Sequence, residues 1–149
     1  MRTTDILNAI NDRLVERWPE RTVYVDVCPV DFDRPSFWLS VEKNEQTDAN
    51  RSFIRRELRI LLTIYDEMDE HYEASWARLS EDMDDALFLL TPPLAVGGRH
   101  LQLDLKALPR DPDRAYIQIG AVWMDDRAGM EQPDTPPADT YTVSVGETT

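Results

Sequence analysis

Few residues in this chain have a claim to chemistry, and they are scattered. Asp26, followed later by Val41-Glu42-Lys43, approaches the acid and acid-x-lysine pattern with which a restriction-type nuclease core holds a metal ion and orients water. Glu42 and Lys43 are adjacent, however, and neighbours in an extended strand point to opposite faces, whereas that chemistry needs both on one side. The acids between Asp66 and Asp85 offer oxygens of the kind hard cations take, but they lack the D-x-D-x-D-G order of a calcium loop and read as a solvated face. His71 and His100 fall on different elements and read as surface residues. Cys28 is the single cysteine, so it forms no internal disulfide and no thiolate metal site within one chain; at the end of an apolar run it reads as a small core residue. No phosphate-binding glycine loop, dinucleotide fingerprint, H-E-x-x-H or G-x-S-x-G is present. The sequence therefore predicts neither an enzyme nor a cofactor or metal site.

Charge is more informative. The 149 residues carry a formal charge of -13, which argues against general nucleic-acid binding, because phosphate contacts need clustered Lys and Arg. The charge is uneven: residues 1–59 are near balance at net -1, and residues 60–149 hold net -12. In an assembly of identical subunits, that polarity steers one face toward the opposite face of a neighbour. The one basic cluster is Arg51, Arg55, Arg56 and Arg59. These arginines are either solubilising residues on a strand prone to aggregate or partners for another subunit's carboxylates.

The elements that must position these residues follow from periodicity. Ile6, Leu7, Ile10, Leu14 and Trp18 recur at helical spacing over residues 4–18, with Thr3 or Thr4 as cap and Pro19 as stop. "TVYVDVC" alternates as a first strand over residues 22–28. A second strand, entered through Pro35, carries Phe37, Leu39 and Val41, and "KNEQTDAN" follows as a polar loop. A longer strand from Ser52 to Tyr65 turns Ile54, Leu58, Ile60, Leu62 and Ile64 one way and Arg55, Glu57 and Arg59 the other. A helix is predicted over residues 72–90, its stripe formed by Trp76, Leu79, Met83, Leu87 and Leu90. Gly97-Gly98 joins two short alternating runs as a hairpin, and "RAYIQIGAVWM" is a last strand. The resulting order, α-β-β-β-α-β-β-β, predicts an α+β domain over residues 1–126 with a mostly antiparallel sheet packed against two helices. Residues 127–149, rich in Pro, Thr and Asp, carry no core-sized pattern. They read as a C-terminal extension ordered by a neighbouring subunit, with "TYTVSV" at 140–145 suited to strand addition.

Taken together, "TDILNAINDRLVERWPERTVYVDV", "DFDRPSFWLSV", "RSFIRRELRILLTIYDE" and the hairpin "LAVGGRHLQLDL" resemble, in that order, the tail terminator (tail completion) proteins of long-tailed bacteriophages over about residues 4–124. Gly98 stands where the acid of the family's hairpin often falls. The resemblance implies a structural virion protein without enzyme activity or cofactor, assembled in the host cytoplasm. It implies a homo-oligomer, a hexameric ring, on the head-proximal end of the tail tube that stops tube polymerisation. Its partners would be the tube protein and a head-tail connector or neck protein, with DNA passing through the lumen without specific binding and no membrane involved. On that reading the subunit-interface residues are Arg51, Arg55, Arg56 and Arg59, Asn44, Glu45 and Gln46 in the polar loop, and Tyr141, Val143 and Val145 in the extension. The competing readings are another neck component, the nuclease-like enzyme, and an adaptor that binds peptide strands at its sheet edge.

Overall fold

The computed structural model describes residues 1–127. Helix α1 spans Thr3–Arg17, and strands β1 (Thr22–Val25), β2 (Ser36–Asp48) and β3 (Phe53–Tyr65) follow. After helix α2 (Trp76–Leu90) come β4 (Leu94–Val96), β5 (Arg99–Leu101), β6 (Asp104–Asp111) and β7 (Arg114–Asp126). The main sheet has the order β1-β2-β3-β7-β6; only β1 and β2 run parallel, and β4-β5 is a separate two-stranded hairpin. The α+β architecture expected from the sequence is the one observed, with the second run of the glycine hairpin divided at Gln102 and Leu103 into β5 and β6.

One face of the sheet makes the core. Phe37 and Leu39 of β2, Leu58, Ile60, Leu62 and Ile64 of β3, and Ala115, Ile117, Ile119 and Ala121 of β7 are buried beneath Ile6, Leu7, Ile10 and Leu14 of α1 and Leu79, Ala86 and Leu90 of α2. Each large side chain in that set contributes about 1.5–3 kcal/mol by leaving water. Gly97 and Gly98 both take positive φ, the conformation of a two-residue hairpin turn that a side chain disfavours. Among the described residues no helix is long and apolar enough to cross a membrane.

Several expectations are corrected. The "KNEQTDAN" segment is not a loop: β2 runs on to Asp48, and only residues 49–52 turn at the tip of a long β2-β3 hairpin. The first strand stops at Val25, because Asp26 adopts φ 71°, and Val27 is exposed. Cys28 consequently lies beyond the strand, half-buried beside Tyr65. Helix α1 is capped from its own first turn: the Arg2 backbone N–H donates to the Asp5 carboxylate at 3.0 Å, and neither threonine supplies the cap. Helix α2 begins at Trp76, where Ser75 Oγ accepts from the Arg78 N–H. That first-turn position leaves Trp76 64% exposed, outside the core. The core position one turn on is Leu79, and the buried polar member of the stripe is Asp82, held by Arg21 at 3.0 Å and with its carboxyl pushed up by burial. Thermal denaturation checks the reassigned stripe: Leu79→Ala is expected to cost about 3 kcal/mol, and Trp76→Ala less than about 1 kcal/mol.

Candidate assembly surface

The helices cover one face of the sheet, and the opposite face is divided in two. At the end where β1 lies, residues 26–35 fold over it as a strap. Phe32 stacks on Tyr65 with ring centroids 4.1 Å apart, the Trp38 indole N–H donates to the Asp26 carbonyl, and the Asp33 N–H donates to the Tyr24 hydroxyl. Arg34, before a cis proline, lies beside this stacked pair, its guanidinium 4.8 Å from the centre of the Phe32 ring and 5.2 Å from that of Tyr65. It donates to the Asp66 carbonyl at 2.8 Å and to Asp113 Oδ2 at 2.7 Å. Asp113 also accepts two bonds from Arg114, at 3.0 and 2.8 Å, and its carboxyl is held down to about 2, first by Arg114 and then, against the cost of burial, by Arg34. Next to this node the Tyr116 hydroxyl donates to Asp111, and burial with that contact pushes the phenol up to about 12.

At the other end none of the described residues covers the face. Cross-strand rows there read Thr47–Arg55–Met124, Glu45–Glu57–Val122 and Lys43–Arg59–Gly120–Asp104 across β2, β3, β7 and β6. Phe53, Val122 and Met124 are 44%, 42% and 46% exposed, on the side opposite the core. Glu57 takes Lys43 Nζ and Arg55 Nη1, each at 3.3 Å, and these contacts, Lys43's first, hold its carboxyl below the usual range. Arg59 is half-buried and makes no hydrogen bond or ion pair among the described residues. Opposite it, Gly120 leaves the sheet without a side chain, and a shallow cavity of about 250 Å³ opens between Glu57, Arg59, Asp104, Lys106 and Gln118.

Of the residues singled out from the sequence, Arg55, Arg59 and Glu45 lie on this bare face. Arg56 lies on the other, its guanidinium 5.3 Å from the centre of the Trp123 ring and bonded to Asn44 at 3.2 Å. Asn44 and Gln46 share that helix-side register, and Asn44 reaches Thr3 Oγ1. Arg51 sits in the hairpin tip, where its carbonyl accepts from Arg127, whose guanidinium also holds Asp48 at 2.7 Å. Tyr141, Val143 and Val145 lie outside the described residues. Sequence reasoning missed Lys43, Gly120, Val122 and Met124. Their signal was the alternation of β7, whose out-of-phase positions are a glycine and exposed apolar residues.

The argument against the nuclease pattern also needs correction. A bulge between Val41 and Lys43 breaks the alternation, so Glu42, bonded by Gln118, and Lys43, bonded to Glu57, both turn to the bare face. Even so, among the described residues no three His, Cys, Asp or Glu side chains gather as a metal site. His71 and His100 are exposed.

The family of phage tail terminator proteins matches residues 5–105, more than half of the chain. The chain belongs to that family. Its role is therefore structural, in the phage tail. No curated protein matches the chain. One solved structure is similar over 85% of this chain and 96% of its own length, at 16% identity and a TM-score of 0.45, too loose a likeness to bear on function.

The strap makes the fold sensitive to acid. Asp113 titrates near 3.8 when unfolded and about 2 when folded, so its contribution of about 2 kcal/mol is fully present above pH about 4 and is lost as pH falls through about 2. Urea unfolding of the native chain and of Asp113→Asn is expected to show a stability difference that narrows over that window.

Proposed function

We propose that this tail terminator protein forms a hexameric ring on the head-proximal end of the tail tube, ends tube polymerisation there, and presents a surface to the head connector or neck protein. The observation that carries the reading is the half of the sheet that no other described residue covers, in a member of this family: the exposed Phe53, Val122 and Met124, and an arginine without an ion pair among the described residues, suit a surface completed by another protein. The outer edge of β2 supports it too, because β1 pairs only with Ser36–Leu39 and leaves the rest of that strand's polar groups open. A net charge of -13 suits a lumen through which DNA slides without binding.

Negative-stain electron microscopy of the full chain mixed with self-polymerising tube protein of the same phage tests this. Tubes that stop growing, each with a ring at one end, are expected. Tubes of unchanged length and bare ends would overturn the terminator reading in favour of another neck component, which would bind connector without limiting the tube.

A further inference from the structure

Two surfaces of the subunit carry exposed apolar side chains and uncompensated charges of opposite sign. The first is the bare half of the sheet, with Val122 and Met124 exposed; in the Gly120 cavity Glu57 is held by Lys43 and Arg55, whereas Arg59, Lys106 and Asp104 make no ion pair among the described residues, which leaves an excess of one cation. The second is the outer side of α2. Ala77, Glu81, Asp84 and Phe88 follow one another at helical spacing and are all exposed, Phe88 by 82%. Arg78, the one cation on this helix, is spent on Asp66 at 2.9 Å, and Asp85 is spent on Arg17. Glu81 and Asp84 make no ion pair among the described residues.

We infer that these surfaces meet between copies of this chain: Phe88 of one subunit seats on Val122 and Met124 of the next, and Asp84 enters the Gly120 cavity to pair with Arg59. Dimensions agree. Asp84 and Phe88 lie four residues apart, about 6 Å along a helix, and Gly120 and Val122 lie two residues apart, about 7 Å along a strand. A large side chain at position 120 would close the space that the carboxylate needs, whereas the glycine gives Arg59 room to form a two-pronged contact. The helix side and the bare sheet side are opposite faces of a two-layer subunit, so each copy offers one of each and the contact is heterologous: it joins copies in sequence and closes when the repeated rotation returns to its start. The inference rests on the ring reading above and names its interface.

Sedimentation velocity of the full chain at physiological salt, with and without the tube protein, tests it. Asp84→Arg, at an exposed helix position, and Arg59→Asp are each expected to weaken self-association at least about tenfold, with melting temperatures near that of the native chain. The double variant carrying both changes restores the pair with its signs exchanged, and association is expected to return. Single variants that assemble like the native chain would overturn the interface, and so would a native chain that stays monomeric at its solubility limit. Variants that assemble normally yet no longer cap tubes would assign Arg59 or Asp84 to the tube protein, overturning this contact while leaving the terminator reading in place.

Discussion

The rest of the structure depends on a mismatch of lengths. Strands β2, β3 and β7 each have 13 residues, and helices α1 and α2 each have 15. At about 3.3 Å per strand residue and 1.5 Å per helix residue, the strands reach about 43 Å and the helices about 22 Å. Two helices cannot roof the whole of such a sheet on one side, and no element among the described residues is large enough to roof the other. The remaining cover is assembled from smaller parts. On the helix side, the β4-β5 hairpin closes over the far end: Arg99 holds Asp125 at 2.9 Å and the Met124 carbonyl at 2.7 Å, and the Trp123 indole N–H donates to the same carboxylate. Burial would raise Asp125, but the Trp123 indole, the nearby amino group of Met1 and Arg99 outweigh it and hold the carboxyl down. On the other side, the strap of residues 26–35 covers the near end through Arg34.

What the small parts do not reach is left to side-chain chemistry. A sheet face and edge open to water invite unlimited pairing, which natural proteins suppress with charge, bulges and proline. Here Lys43, Glu45, Arg55 and Glu57 interleave opposite charges over the bare face, a bulge follows Val41 on the open edge of β2, and Pro109 stands in the outer strand β6. The suppression is incomplete at one place, around Gly120 and the exposed Val122 and Met124. That combination of general protection with one local gap separates a surface that recognises a defined partner from one that merely aggregates.

The same mismatch decides what could be read from the sequence. Where a strand has one buried face, its pattern is plain: the alternation of Ile54 to Ile64 in β3 and of Ala115 to Trp123 in β7 translates directly into the core. The glycine pair of the β4-β5 turn is equally plain, because the requirement for positive φ is local. From Glu42 onward, however, β2 overhangs the helices, so both its faces are polar and its composition is that of a loop. Its backbone bonds come from β3, which no window of β2 can reveal. Trp76 misled for a related reason. Its phase is close to the buried stripe, but it stands in the first turn, beyond the cover of the sheet. Asp82 reads from the sequence as part of a solvated face because Arg21, which makes its burial tolerable, lies far away in the chain. The arginines divided by register: Arg55 and Arg59 fall on the bare face and Arg56 on the other, a distinction that strand parity carries and that a reading of them as one cluster obscures.

Register also bears on how the association proposed above need not continue without limit. Flat pairing of sheet edges has no fixed end, since each added strand presents another like it. A contact between the back of a helix and the front of a sheet is different, because both elements belong to a rigid two-layer body and the contact imposes one rotation per subunit. The strap at the near end confines the available face to the other half, next to the bulge in β2. If the rotation divides a full turn evenly and carries no shift along its axis, the assembly closes, and a closed ring has no further site for its own kind. On the contact proposed above, the size of the cover, two short helices over three long strands, would set both the place at which copies meet and the point at which they stop.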